Sequence, residues 1–275
     1  MKQMPTHKKN RPSSKKKAII LNNVKVADGY FKLSLDAPWM AQARPGQFMQ
    51  VKIGDDFKTL LRKPFGFHRI IKSGDRKLVE ILYKVIGPGT EALSKKNSRG
   101  SLDIIGPLGN GFDVSTAKTR RQATHILVAG GIGVAPLVAL AETLAPKGKV
   151  YALIGASTRS HILCEKEFKD CGAETLVTTE DGSKGKKGLI TDCLKALLST
   201  MNHQLSTIYA CGPKAMLKEV SRLSKKKGSP CQILLEEYMA CGVGVCLGCA
   251  VMTKEGYKMV CEDGPVFEAS EVIWA

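Results

Sequence analysis

The chain has 275 residues and 43% hydrophobic content, enough for two ordinary domains and a buried core. No apolar run approaches the roughly 20 residues that span a bilayer, and the stretch 18–21 behind the basic start is too short for a secretion signal, so a soluble, cytoplasmic protein is expected. The net charge of +17 raises nucleic acid as a partner, but Lys2, Lys8, Lys9, Arg11, Lys15, Lys16 and Lys17 crowd into residues 1–17 with no acid among them, which reads as a solvated, disordered tail.

Residues 18–112 carry short alternating or apolar runs at 18–26, 30–35, 48–53, 67–71, 77–85 and 101–105, separated by Gly, Pro and Asp turns. Strands at this spacing predict an antiparallel β-barrel. Within it, Leu61-Arg62-Lys63-Pro64-Phe65-Gly66-Phe67 joins cations that can hold a phosphate to an aromatic that can pack on a ring. Leu82-Tyr83-Lys84 leads to Gly87-Pro88-Gly89-Thr90, a second candidate phosphate cradle. Ordinary barrel turns would produce either segment taken alone.

Residues 113–122 are polar and basic, as a linker would be. From 124 the pattern alternates: strands at 125–129, 150–154, 174–178, 207–210 and 232–235, helices at 137–145, 164–169, 189–198 and 214–224. Alternation of this kind predicts a parallel sheet with helices on both faces. The turn Ala129-Gly130-Gly131-Ile132-Gly133-Val134-Ala135-Pro136 follows a strand and opens a helix, where backbone N–H groups and the helix dipole can receive a pyrophosphate. Cys211-Gly212-Pro213 occupies the same position after a later strand.

Nine cysteines in a chain without a leader argue against a disulfide framework. Cys241, Cys246 and Cys249 have C-x4-C-x2-C spacing, with Gly242, Gly244 and Gly248 between them to let the backbone turn its N–H groups toward sulfur, and Cys261 follows. This is the plant-type ferredoxin order for a [2Fe–2S] cluster. Structural zinc usually shows two C-x2-C knuckles, and only one is present here. A zinc-bearing nucleic-acid-binding protein remains a remote alternative, since basic and aromatic residues do not interleave around the cysteines. The other five cysteines fit as small core residues.

Taken together, these segments, with Gly106-Pro107-Leu108-Gly109-Asn110-Gly111-Phe112, make residues 18–275 resemble the ferredoxin–NADP reductase superfamily, most closely its dihydroorotate dehydrogenase B electron-transfer subunits. The resemblance implies a basic tail at 1–17, an FAD-binding barrel at 18–112, an NAD-binding α/β domain at 124–230 and a [2Fe–2S] subdomain at 231–275. It implies flavin contacts from Lys63, Pro64, Phe65, Gly66, Leu82, Tyr83, Lys84, Gly89 and Thr90. Gly131, Gly133, Pro136, Cys211, Gly212 and Pro213 would bound the nicotinamide nucleotide, and Cys241, Cys246, Cys249 and Cys261 would ligate the cluster. Lys63 stands where the family has an arginine and lacks its bidentate fork. Gly66 offers no hydroxyl to the flavin, so any bond there comes from backbone. No acid–base catalytic group is expected. The implied role is a relay between a partner subunit containing FMN, in a heterotetramer of two of each, and NAD in pyrimidine biosynthesis. Relatives with the same cofactors serve other partners, such as ferredoxin:NADP oxidoreductase or sulfide dehydrogenase. Ser157, Thr158 and Arg159 could meet the 2′-phosphate of NADP, although the closer resemblance favours NAD.

Overall fold

The computed structural model describes residues 16–54, 59–73, 76–115, 123–200 and 206–274. The first unit is a curled antiparallel sheet of β1 (Lys16–Ala27), β2 (Tyr30–Asp36), β3 (Phe48–Lys52), β4 (Lys63–Gly66), β5 (Arg69–Ser73), β6 (Arg76–Lys84) and β7 (Ser101–Leu108). Its spatial order is β4-β3-β7-β1-β2-β6-β5, and α1 (Pro88–Ser94) connects β6 to β7. Alternation builds the barrel core, with Leu33 and Leu35 of β2 and Leu102 and Ile104 of β7 facing inward. Phe65 near one sheet edge meets Tyr83 near the other edge-to-face, ring centroids 5.8 Å apart, so the sheet closes on itself.

The second unit contains β8 (Thr124–Gly130), α2 (Val134–Leu144), β9 (Lys149–Ala156), α3 (Glu165–Asp170), β10 (Glu174–Thr179), β11 (Lys186–Lys187), α4 (Ile190–Thr200), β12 (Ser206–Cys211), α5 (Lys214–Lys227) and β13 (Cys231–Leu234). The hairpin β14 (Ala250–Thr253) and β15 (Gly256–Met259) follows, then β16 (Val266–Glu268). The sheet order is β11-β10-β9-β8-β12-β13-β16, parallel except where β16 pairs antiparallel with β13. β8 is buried on both faces: Leu127 and Ala129 enter one core with α2 and α3, Ile126 and Val128 the other with α4 and α5. The first core also takes Tyr30, Leu82 and Phe112 from the barrel unit, and the second takes Phe48, Leu108 and the cysteine segment. α2 is therefore buried nearly all round, Glu142 and Thr143 excepted. No helix among the described residues is long and apolar enough to cross a membrane.

Three sequence expectations need correction. Lys16 and Lys17, assigned to the tail, begin β1 and pair with Ile104 and Asp103 of β7, because backbone pairing does not require apolar side chains; residues 1–15 lie outside the described residues. The strand expected at 67–71 is β5, which begins at Arg69, and an unexpected strand, β4, precedes it with Phe67 and His68 between them. Pro64 obscured β4 in the sequence, yet β4 is an edge strand, where a missing N–H costs no ladder bond. The boundary at 231 cuts through the nucleotide-binding sheet, since β13 and β16 both belong to it and the cysteine segment is inserted between them. Of the expected linker at 113–122, residues 116–122 lie outside the described residues; Asp113 is held by Gln232 through its N–H (2.9 Å) and its carbonyl (3.2 Å).

Leu137 of α2 is fully buried in the core shared by both units. Leu137→Ala is expected to lower the unfolding free energy by about 2–5 kcal/mol, measured by urea denaturation.

Candidate cofactor sites at the domain junction

The chain leaves β8 for β9 and β10 on one side and returns to β12 on the other, so the β8–β12 boundary is the topological switch point, where open α/β sheets bind ligands. Both glycine turns meet there. A Cβ on Gly130 would stand 2.8 Å from Pro213 Cδ, and one on Gly212 would stand 3.0 Å from Gly130 N. A Cβ on Gly133 would collide with the Cys211 carbonyl. Gly131, at φ +55°, has open space where its Cβ would be, leaving its backbone accessible to a ligand. Pro136 lies in the first turn of α2, where no intrahelical bond is lost, and faces Gly66 at the end of β4, 3.8 Å from where a Cβ would sit. The structure thus gathers Gly66, Gly131, Gly133, Pro136, Cys211, Gly212 and Pro213 at one junction. Further along the sheet edge, Ser157 Oγ bonds His161 Nδ1 (2.9 Å) and the Arg159 N–H donates to Ser183 Oγ (2.8 Å).

The barrel residues divide by face. Arg62 is committed to Asp103, with bonds of 2.8 Å to its carbonyl and 2.9 Å to its carboxylate. Lys63 instead lies along Gly89, its Cε 2.9 Å from where a Cβ would be, so an ammonium and the turn Gly87–Thr90 converge. Thr90 Oγ1 shapes that turn by accepting the N–H groups of Ile86 (2.9 Å) and Gly87 (3.3 Å). Phe65 and Tyr83 point into the barrel core, Leu82 points into the core shared with the α/β unit, and exposed Lys84 lies over the Tyr30 ring. Pro64 pairs with Gln50 of β3.

The cysteine loop is built around sulfur acceptors. Cys241 Sγ accepts the N–H groups of Val243, Val245 and Cys246, each at 3.4 Å. Cys261 Sγ accepts Gly244 N–H at 3.1 Å, and Cys249 Sγ accepts Cys261 N–H at 3.4 Å. Burial opposes ionisation of Cys241, but those three amides outweigh it and bring the thiol down to about 6. Cys261 goes the other way: burial, reinforced by its bond to Cys249, pushes it up to about 12. Tetrahedral zinc, with Zn–S of about 2.3 Å, needs all four sulfurs within about 3.8 Å of each other. Among the described residues no three of these sulfurs lie within 4.8 Å of one another. Backbone N–H groups aimed at Cys241, Cys249 and Cys261 suit negatively charged cluster sulfurs.

Gln50 escaped the sequence reading, having no motif around it. It is fully buried on β3, its amide presses on Gly242 with Nε2 4.0 Å from Met239 Sδ, and its Oε1 has no partner. The cysteine loop therefore rests on the strand that pairs with Lys63–Gly66.

A flavin-type barrel, a switch-point nucleotide cleft and a cysteine loop docked between them define an NAD-binding oxidoreductase of the ferredoxin–NADP reductase fold with an added iron–sulfur module. Residues 127–222 match the family described as an oxidoreductase NAD-binding domain, and residues 236–273 the iron–sulfur cluster binding domain of dihydroorotate dehydrogenase B. The dihydroorotate dehydrogenase B (NAD(+)) electron transfer subunit of Caldanaerobacter subterraneus is 39% identical, covering 94% of this chain and 99% of its own. That of Fusobacterium nucleatum is 38% identical, covering 91% and 95%. A solved structure of an NADH-dependent reduced ferredoxin–NADP oxidoreductase, described for flavin-based electron bifurcation, superposes with a TM-score of 0.81 at 30% identity, covering 94% of this chain and 90% of that one. The ferredoxin NADP+ reductase of Neisseria gonorrhoeae, with bound FAD and NADP, shares the fold at 13% identity and a TM-score of 0.65, covering 78% of this chain and 92% of that one. The chain belongs to the family of dihydroorotate dehydrogenase B (NAD(+)) electron transfer subunits.

The glycine contacts separate packing from ligand access. Gly133→Ala is expected to lower the melting temperature sharply, because backbone must move. Gly131→Ala should cost only about 1 kcal/mol for its positive φ, with weakened NADH binding in a titration.

Proposed function

We propose that this chain relays electrons between a dihydroorotate-oxidising partner and NAD+, through a [2Fe–2S] cluster and FAD, in pyrimidine biosynthesis. The observation that carries this reading is the seating of the cysteine loop on Gln50, one strand away from Lys63–Gly66, which sets an iron–sulfur site beside a flavin site. When bound, FAD exchanges two electrons with a nicotinamide as hydride, and a [2Fe–2S] cluster passes electrons singly.

The protein's part is to bind, orient and shield. Lys63 and the turn Gly87–Thr90 hold the flavin pyrophosphate, a single ammonium serving where relatives of this fold can use a guanidinium fork. Pro64 and Gly66 present backbone to the flavin ring. Phe65 and Tyr83 stiffen the strands beneath it, while Leu82 and Lys84 line the strand alongside. The absent side chains at Gly66 and Gly131 leave room for a nicotinamide to approach, with Gly133, Pro136, Cys211, Gly212 and Pro213 forming the walls. Cys241, Cys246, Cys249 and Cys261 ligate iron, and the N–H groups on Cys241 and Cys261 stabilise the negative sulfurs. No side chain is needed as a proton-transfer catalyst for a substrate of its own.

The partner is an FMN-containing catalytic subunit, and two of each chain make a heterotetramer. Support comes from the surface around the exposed ligand: Cys246 is flanked by Val245 at 78% and Leu247 at 63% exposure, with Tyr238 at 94% nearby in the chain. Such exposed apolar side chains suit a partner interface. A cytoplasmic location suits a chain with nine cysteines, since a reducing compartment keeps thiols available to iron. The similarity to the bifurcating oxidoreductase supports a second reading, the same relay serving a large iron–sulfur flavoprotein. Co-purification separates the two: a dihydroorotate-oxidising FMN protein supports the first, and a large iron–sulfur flavoprotein overturns it.

Purified protein is expected to be yellow-brown, with two irons, acid-labile sulfide and one FAD per chain; a colourless zinc protein refutes the reading. Cys246→Ser should abolish the cluster absorption while NADH still bleaches the flavin at 450 nm, roughly as fast as in the parent chain. Lys63→Ala should weaken FAD retention about tenfold, as loss of a charge-assisted phosphate contact worth 1–3 kcal/mol would, measured by flavin release during dilution.

A further inference from the structure

A second cluster of metal-ligating groups lies at the domain junction, away from the four cysteines. His68, between β4 and β5, is completely buried. Its Nδ1 is 3.0 Å from the Ala135 carbonyl in the first turn of α2, so Nδ1 carries the proton and donates it. That leaves the Nε2 lone pair as the free donor, and Nε2 has no partner. A buried imidazole nitrogen without a partner is costly unless something fills the vacancy. The groups facing it are Cys164 and Glu167, from the start of α3. One donor atom from each of His68, Cys164 and Glu167 lies within 4.8 Å of the other two. They border a cavity of about 190 Å³ whose remaining walls include Val26, Leu82, Ile162 and Leu163. Lys32 also borders it and takes one side of the carboxylate, Nζ to Glu167 Oε1 at 3.5 Å, leaving Oε2 for another cation.

We propose that His68, Cys164 and Glu167 form a zinc site that staples the flavin barrel to the nucleotide-binding domain. The chemistry matches a borderline-soft divalent ion: one imidazole nitrogen, one thiolate and one carboxylate oxygen, with space in the cavity for water as the fourth ligand. The Nδ1–H bond to a backbone carbonyl is the outer-shell contact that fixes the tautomer and ring plane of a metal-binding histidine. Cys164 stands in the left-handed region at φ +60°, a conformation that costs a non-glycine residue energy. Binding transfers the Cys164 thiol proton to solvent and leaves the oxidation state of every group unchanged. His68 comes from the barrel and the other two ligands from the α/β unit, so the ion would fix the relation between the two walls of the nicotinamide cleft. The site does not depend on which partner the chain serves.

The test uses full-length holoprotein with its iron–sulfur cluster intact, stripped of loosely bound metal, given one equivalent of zinc and desalted. Metal analysis should return one zinc per chain in addition to the iron. Zinc-edge X-ray absorption should show one sulfur and three lighter neighbours, and the melting temperature should rise with zinc. Cys164→Ser and Glu167→Gln should each lower zinc affinity at least tenfold and abolish the melting shift with iron content unchanged. His68→Gln adds a third arm where it folds. No retained zinc, a four-sulfur shell showing that zinc occupies the cluster cysteines, or undiminished binding by Cys164→Ser overturns the proposal.

Discussion

The first turn of α2 is the contact on which the rest of the molecule depends. Its glycine entry packs against the Cys211 carbonyl, Pro136 faces Gly66 of the barrel, and the Ala135 carbonyl accepts His68. Glu142, further along the helix, is ion-paired with Arg69 of β5. One buried helix thus joins the two glycine turns of the nucleotide cleft to the flavin strand. The apolar interface beneath it, with Tyr30, Leu82 and Phe112 in the same core as α2, keeps that arrangement from being a loose hinge. Small residues recur here because three backbones approach within van der Waals contact, and a single methyl group has nowhere to go at Gly130, Gly133 or Gly212.

The opposite face of the sheet does a different job. There α4, α5 and the cysteine segment share a core with Phe48 and Leu108, so the loop is anchored by aliphatic packing beneath and by sulfur–amide bonds above. The electrostatics follow from this placement. Cys249 and Cys261 are buried and gain little from solvent, whereas Cys246 is exposed. Amide donors replace the water that would otherwise solvate negative sulfur. Gln50 brings the same logic to the boundary with the barrel, as a polar group fully buried against the loop.

Much of this was legible in the amino-acid order because the relevant signals are local. Period-two alternation marked β2 and β7, continuous apolar runs marked β8 and β12, and the cysteine spacing marked the loop. The glycine turns were recognisable for the same reason: close backbone approach demands glycine at fixed positions after a strand. What escaped depends on contacts distant in the chain. β4 hid behind Pro64, acceptable only because tertiary structure makes it an edge. β13 was legible as a strand of the parallel alternation, but the boundary at 231 left it with the cysteines, since the return of β16 beyond them leaves no mark on a three-residue run. Gln50 meets Gly242, and His68 meets Cys164 and Glu167, across roughly a hundred residues or more, where no spacing rule applies. Arg62 and Lys63 are adjacent cations, and only the structure separates the one bound to Asp103 from the one over Gly89.

The position of β16 has a consequence for how the protein is made. The strand that completes the sheet beside β13 comes after all four cysteines in the chain. During synthesis the thiols emerge first, on a loop whose second anchor does not yet exist. The cysteine segment is held at both ends only once β16 has paired with β13, and domains fold as units once their last elements are free of the ribosome. The last strand of the chain to be made is thus the one that closes the cysteine segment into the sheet.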